Sequence, residues 1–195
     1  MNNFKLEPAD IGVNLTQGNA PYPRAKRWVL GSPYSHVFMY LGRLGLLRDG
    51  YSSDLFNVPM LFESNGRGVV LQSLSNRYGQ EIVVMRLKSE HDRKRIPQVL
   101  DEAIKLASDP QAHYDHLCIV EYILPRLICE KLGLPMPLSW QRNPWHVCSE
   151  ALYEVCYRGG LIDILPGNVV PLPGDFVKSI LLEEAHRGIL SDKWV

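Results

Sequence analysis

The stretch Pro59-Met60-Leu61-Phe62-Glu63-Ser64-Asn65-Gly66-Arg67-Gly68-Val69-Val70-Leu71-Gln72-Ser73-Leu74 decides the fold class. Two apolar runs flank Asn65-Gly66, and Asn-Gly tolerates the positive φ angles that a tight hairpin turn demands. The pattern predicts two antiparallel strands, 59–64 and 68–74. Beyond them, residues 81–87 (Glu-Ile-Val-Val-Met-Arg-Leu) read as another strand. On the other side, residues 35–41 (Ser-His-Val-Phe-Met-Tyr-Leu) form a strand closed by Gly42, and residues 9–15 alternate well enough for a short one. Residues 16–27, rich in Gly, Asn and Pro, read as loop, and 43–58 as a long loop or inserted turn. The first half is thus a meander of antiparallel strands.

The second half changes period. Ile96, Val99, Leu100, Ala103 and Leu106 share one helical stripe within 91–107. Residues 115–132 carry a similar stripe, with Pro125 expected to kink it. A Pro-rich loop at 133–144 precedes a helix at 147–158, stopped by Gly159-Gly160. A Pro-rich tail, 165–174, leads to a last helical stretch near 175–187. Strands first and helices after predict an α+β fold, with an antiparallel meander packed against a helix that begins near Cys148. With no repeat, low-complexity tract or linker in view, 1–195 reads as a single domain.

Composition narrows the function classes. Hydrophobic residues make up 46% and charged residues 22%, which is globular usage and excludes wholesale disorder. Lys+Arg and Asp+Glu both number 21, so no basic excess drives binding to nucleic acid. No apolar run is long enough for a membrane span. Met1-Asn2-Asn3-Phe4-Lys5-Leu6 lacks the basic start and apolar run of a secretory signal, and the expectation is a cytoplasmic protein. The four cysteines, Cys118, Cys129, Cys148 and Cys156, form neither a disulfide framework nor a CxxC zinc pair. No metal or other cofactor is therefore expected.

Cys118, Cys129 and Cys156 sit among Leu, Ile, Val and Tyr and read as small buried apolar residues. Cys148 differs, because it opens the helix Cys148-Ser149-Glu150-Ala151-Leu152-Tyr153. The positive end of the helix dipole lowers a thiol pKa there, and free backbone N–H groups can hold a developing oxyanion. A thiolate needs a base, and His36, a polar ring in the apolar strand Val37-Phe38-Met39, is the best placed of six histidines. Glu63, inside a neighbouring strand, is the candidate to orient the ring, with Gln72 as the alternative. Ser35, Ser149 and Trp145 flank these positions and are candidates for substrate or oxyanion binding.

The order of these pieces resembles the circularly permuted NlpC/P60 papain-like cysteine hydrolases of the YiiX/YaeF-like kind, in which the histidine strand precedes the cysteine helix. The resemblance rests on Pro8-Ala9-Asp10-Ile11, Ser35-His36-Val37-Phe38-Met39-Tyr40-Leu41-Gly42 and Leu61-Phe62-Glu63-Ser64-Asn65-Gly66-Arg67-Gly68-Val69. It continues through His113-Tyr114-Asp115, Val147-Cys148-Ser149-Glu150-Ala151-Leu152-Tyr153 and Pro171-Leu172-Pro173-Gly174-Asp175-Phe176. It implies a permuted papain-like fold with Cys148 as nucleophile, His36 as base and Glu63 as orienter. It further implies cleavage of an amide, in a peptide or cell-wall-type peptide, through a thioester. Thioesterase or acyltransferase action on lipid acyl groups, or a non-catalytic binding module, are the alternatives on the same fold.

Overall fold

A computed structural model describes residues 4–16, 32–44, 58–114, 123–135, 146–166 and 170–195. Its strands are β1 (Ile11–Leu15), β2 (Tyr34–Leu44), β3 (Val58–Asn65), β4 (Gly68–Ser73), β5 (Glu81–Leu87) and β6 (Leu182–Ile189). Its helices are α1 (Glu90–Arg93), α2 (Ile96–Ala107), α3 (Leu124–Leu132), α4 (Cys148–Arg158) and α5 (Pro173–Val177), with 3-10 turns at Leu74–Arg77 and Asp192–Trp194. All strands join one antiparallel sheet in the order β4-β3-β2-β1-β5-β6. The expected α+β class therefore holds. The hairpin read from Asn65-Gly66 also forms, with Asn65 opposite Gly68.

Three expectations are corrected. The meander is not continuous, because β1 sits between β2 and β5. The stretch 175–187 is not a helix: after the short α5 the chain runs as β6 along β5, pairing Leu87 with Leu182 and Glu81 with Ile189. Leu182-Glu183-Glu184-Ala185 has helical propensity, but the open edge of β5 offers a full ladder of hydrogen bonds, and tertiary pairing overrides a weak local preference. The helix read over 91–107 is broken between α1 and α2 at Lys94-Arg95. Pro125 lies at the start of α3, and Ile123 before it is in helical backbone; residues 115–122, the part of that predicted helix on the other side of the expected kink, lie outside the described residues.

Apolar side chains cover both faces of the sheet. Val13, Val37, Met39, Phe62 and Val83 pack under α2 and α4 through Val99, Ala103, Ala151, Leu152 and Val155. Phe38, Tyr40, Leu61, Ile82 and Val84 face the other way, with Leu6, Leu74, Leu190 and Trp194. Each such side chain, fully buried, contributes about 1.5–3 kcal/mol. Gly12 is required by this second layer: a Cβ built there would lie 2.2 Å from Cζ of Phe38, its cross-strand partner. No helix among the described residues is long and apolar enough to cross a membrane.

The strand that carries His36 is irregular at the functional end. In the β1–β2 ladder Asn14 faces His36 but Leu15 faces Tyr34, so Ser35 is an extra, unpaired residue. Such a bulge bends a strand and re-aims its neighbours. A second one falls at Leu41, since Tyr40 faces Leu61 and Gly42 faces Met60, and Gly42 takes φ +96° there.

Candidate active site

Three elements converge on one cluster. β2 supplies His36, β3 supplies Glu63, and the start of α4 supplies Cys148. Nε2 of His36 lies 2.8 Å from Oε2 of Glu63. The side chains of Cys148 and His36 are hydrogen-bond partners as well. The three candidates thus form a line, thiol to imidazole to carboxylate.

The local sequence explains why α4 presents its first residue this way. Its N-cap is Val147, in extended backbone, and a valine side chain has no acceptor for the first-turn N–H groups. Glu150 bonds outward instead, its Oε2 accepting from the N–H of Val147 at 2.9 Å. A serine or aspartate at 147 would draw those N–H groups to itself. With valine, the Cys148 sulfur receives backbone hydrogen bonds from Ser149 and Val37.

Electrostatics at the three groups are coupled. Burial by itself would raise the Cys148 thiol pKa, but the charge and hydrogen bond of His36, with the two backbone bonds, bring it below its usual value. Burial likewise opposes the His36 imidazolium; the Cys148 charge and bond, and then Glu63, overcome this and raise it to about 9. Burial of Glu63 is outweighed by hydrogen bonds from His36 and Arg77, which hold it at about 2. Together these favour a thiolate–imidazolium pair backed by a carboxylate. Cys156, in the last turn of the same helix, has only burial acting on it and is pushed up to about 12.

The remaining candidates fall out as follows. Gln72 does not touch the imidazole; its amide donates to Oε1 of Glu63 at 2.6 Å, and Asn65 donates to the same oxygen at 3.1 Å. The Ser149 hydroxyl is buried and donates to the carbonyl of Pro171 at 2.7 Å, so this side chain ties down the chain before α5, and only its backbone borders the sulfur. Ser35 is the bulged residue beside His36. Trp145 lies outside the described residues. Sequence reasoning missed Arg77, which donates to both oxygens of Glu63 from Nη2 at 2.6 Å and to Oε2 from Nε at 3.0 Å. Arg77 ends the polar turn Leu74-Ser75-Asn76-Arg77, where nothing but its position after β4 distinguishes it from a surface residue.

Fold and site together define an α+β protein in which a cysteine at a helix start meets a histidine and a glutamate on adjacent antiparallel strands. No family model matches the sequence, and no curated protein matches it. Among solved structures, the fold is similar to that of the metalloprotein YiiX from Escherichia coli O157:H7, DUF1105. The TM-score is 0.61 with 14% sequence identity, over 96% of this chain and 100% of that one, a likeness that establishes the fold alone.

A metal does not suit the cluster in this chain. Among the described residues no three His, Cys, Asp or Glu side chains are grouped to hold one. Glu63 is already bound on both oxygens by the Arg77 guanidinium, which would repel a second cation.

Proposed function

We propose that this chain is a cysteine hydrolase on a permuted papain-like fold that cleaves an amide bond, in a peptide or cell-wall-type peptide, through a thioester. The observation that carries the reading is the hydrogen-bonded line from Cys148 through His36 to Glu63 at the N-terminus of α4.

In the first half-reaction the Cys148 thiolate attacks the carbonyl carbon, and the C=O π pair moves onto oxygen. The oxyanion is held by backbone N–H groups at the start of α4, where the helix dipole favours negative charge. His36 gives its proton to the departing nitrogen as the C–N bond breaks, leaving an S-acyl Cys148. In the second, His36 takes a proton from water as that water attacks the thioester, and the acid leaves as the thiolate and imidazolium reform. Glu63 keeps the ring in the tautomer and orientation that both transfers require.

The test exposes the purified chain to peptide-like and lipid-like acyl electrophiles in parallel and follows the Cys148 peptide by mass spectrometry. An acyl adduct at Cys148 from the peptide-like set, absent in Cys148→Ala, and turnover of a matching amide are the expected results. Adducts from the lipid-like set alone would move the reaction to thioester or lipid acyl transfer by the same intermediate. No adduct from either set, with Cys148 no more reactive than an ordinary thiol, would overturn the proposal in favour of a binding module.

A further inference from the structure

The proposed chemistry makes no use of Arg77, yet Arg77 is the most heavily engaged neighbour of Glu63. It closes the 3-10 turn that follows β4, and its Nη2 also lies 3.2 Å from Nε2 of His36. Glu63 has no exposed side-chain surface. Besides His36 and Arg77, it accepts from the amides of Gln72 and Asn65. A carboxylate offers about four lone-pair sites, and neutral amides with the imidazole fill most of them. What Arg77 adds that the amides do not is a full positive charge beside the carboxylate.

On the reading that Cys148, His36 and Glu63 act together, we infer that Arg77 is a positioning residue that cancels the charge of Glu63, so that the His36 imidazolium has Cys148 as its one uncompensated counter-ion. A bare buried carboxylate at 2.8 Å would hold the imidazolium proton strongly and make His36 a poor donor to a leaving nitrogen. With the guanidinium on both oxygens, Glu63 still fixes the ring but withholds less of the proton. Among the described residues, the charged or titratable groups facing His36 are Cys148 from α4, Glu63 from β3 and Arg77 from the turn after β4; β1 places the neutral Asn14 opposite it.

The inference gives opposite signs for two substitutions. Arg77→Gln leaves the site more negative, and protons are held more tightly; Glu63→Gln leaves it more positive, and they are held less tightly. Removing both returns the local charge to its starting value.

The experiment measures the rate of iodoacetamide alkylation of Cys148 against pH in the native chain and in Arg77→Lys, Arg77→Gln, Glu63→Gln and the Glu63→Gln/Arg77→Gln double variant. In the native chain an acid limb well below that of an ordinary thiol is expected; a limb at the ordinary thiol position would sink the thiolate–imidazolium reading itself, whatever Arg77 does. Given that limb, Arg77→Gln moves its midpoint up by about one pH unit and Glu63→Gln moves it down by a similar amount, the size expected of one nearby charge. The double variant returns close to the native midpoint, and Arg77→Lys, which keeps the charge, stays there. A merely structural Arg77 would slow alkylation or lower the unfolding midpoint without moving the limb, and Arg77→Lys would then resemble Arg77→Gln. Should Arg77→Gln fail to fold by circular dichroism, the comparison of Glu63→Gln with the double variant decides: identical midpoints overturn the inference.

Discussion

The buried hydroxyl of Ser64 donates to the backbone carbonyl of His146 at 2.6 Å. This bond joins the residue after Glu63 to the residue two before Cys148, so the Glu63 carboxylate and the Cys148 thiol are held in one frame. The N–H of His146 meanwhile donates to the carbonyl of His113 at 2.9 Å. Ser64→Ala leaves that buried carbonyl without its side-chain donor, and a loss of about 1–3 kcal/mol in urea unfolding is expected. Because the entry to α4 is loosened, alkylation of Cys148 should also slow; an unchanged rate with lowered stability would show that the frame does not reach the sulfur.

Cys148 and Cys156 lie two turns apart on the same helix and should differ sharply in reactivity. Iodoacetamide at mildly acidic pH is expected to label Cys148 and spare Cys156, which burial pushes up to about 12. Peptide mapping after a short pulse checks this. His36→Ala should narrow the difference, since the larger of the influences that lower the Cys148 thiol pKa, a charge and a hydrogen bond, come from that ring.

Stability should depend on pH through the same cluster. Below about pH 6.5 an ordinary histidine is protonated in folded and unfolded chains alike, and the contribution of His36 is fully present; it is lost as pH rises through about 9. Glu63 works in the other direction, contributing fully above about pH 4.5 and losing its contribution as pH falls through about 2. Cys148, whose thiol is held below its ordinary 9.0, contributes with the opposite sign over the same range, so urea midpoints should stay nearly level between about pH 6.5 and 9 in the native chain. Glu63→Gln should flatten the acid side.

Gly12 and Phe38 form a matched pair across β1 and β2. Gly12→Ala is expected to cost about 1–3 kcal/mol, as overpacking of a dense core does, because the new methyl overlaps the Phe38 ring. Phe38→Leu in the same chain should recover part of the loss. Equal destabilisation in the single and double variants would place the cause in the backbone of β1.

What the sequence disclosed depended on how local each signal was. The β3–β4 hairpin and β5 could be read because period-2 patterning and Asn65-Gly66 lie within the segments themselves. The start of α4 was legible because Cys148 follows a Pro-rich stretch and opens a run of helix formers. β6 was misread, since its partner β5 is about a hundred residues away in the chain and only that pairing makes Leu182–Ile189 a strand. The bulge at Ser35 left no mark either: one extra residue in a ladder is a property of two strands, not of one. Arg77 belongs to the same class, as its role comes from a turn folding back over Glu63.

His36, Glu63, Gln72 and Arg77 all lie between residues 36 and 77, on strands β2, β3 and β4 that are neighbours both in sequence and in the sheet, and on the turn after them. Cys148 arrives on a helix made much later. During synthesis the histidine–carboxylate half of the candidate site can pair through short-range contacts while Cys148 is still unmade. Until α4 docks, Cys148 has neither imidazolium nor backbone donors beside its sulfur, and its thiol titrates near the ordinary value of 9.0. The nascent chain accordingly carries a mostly protonated, sluggish thiol, and reactivity is switched on by the closing of the tertiary structure itself.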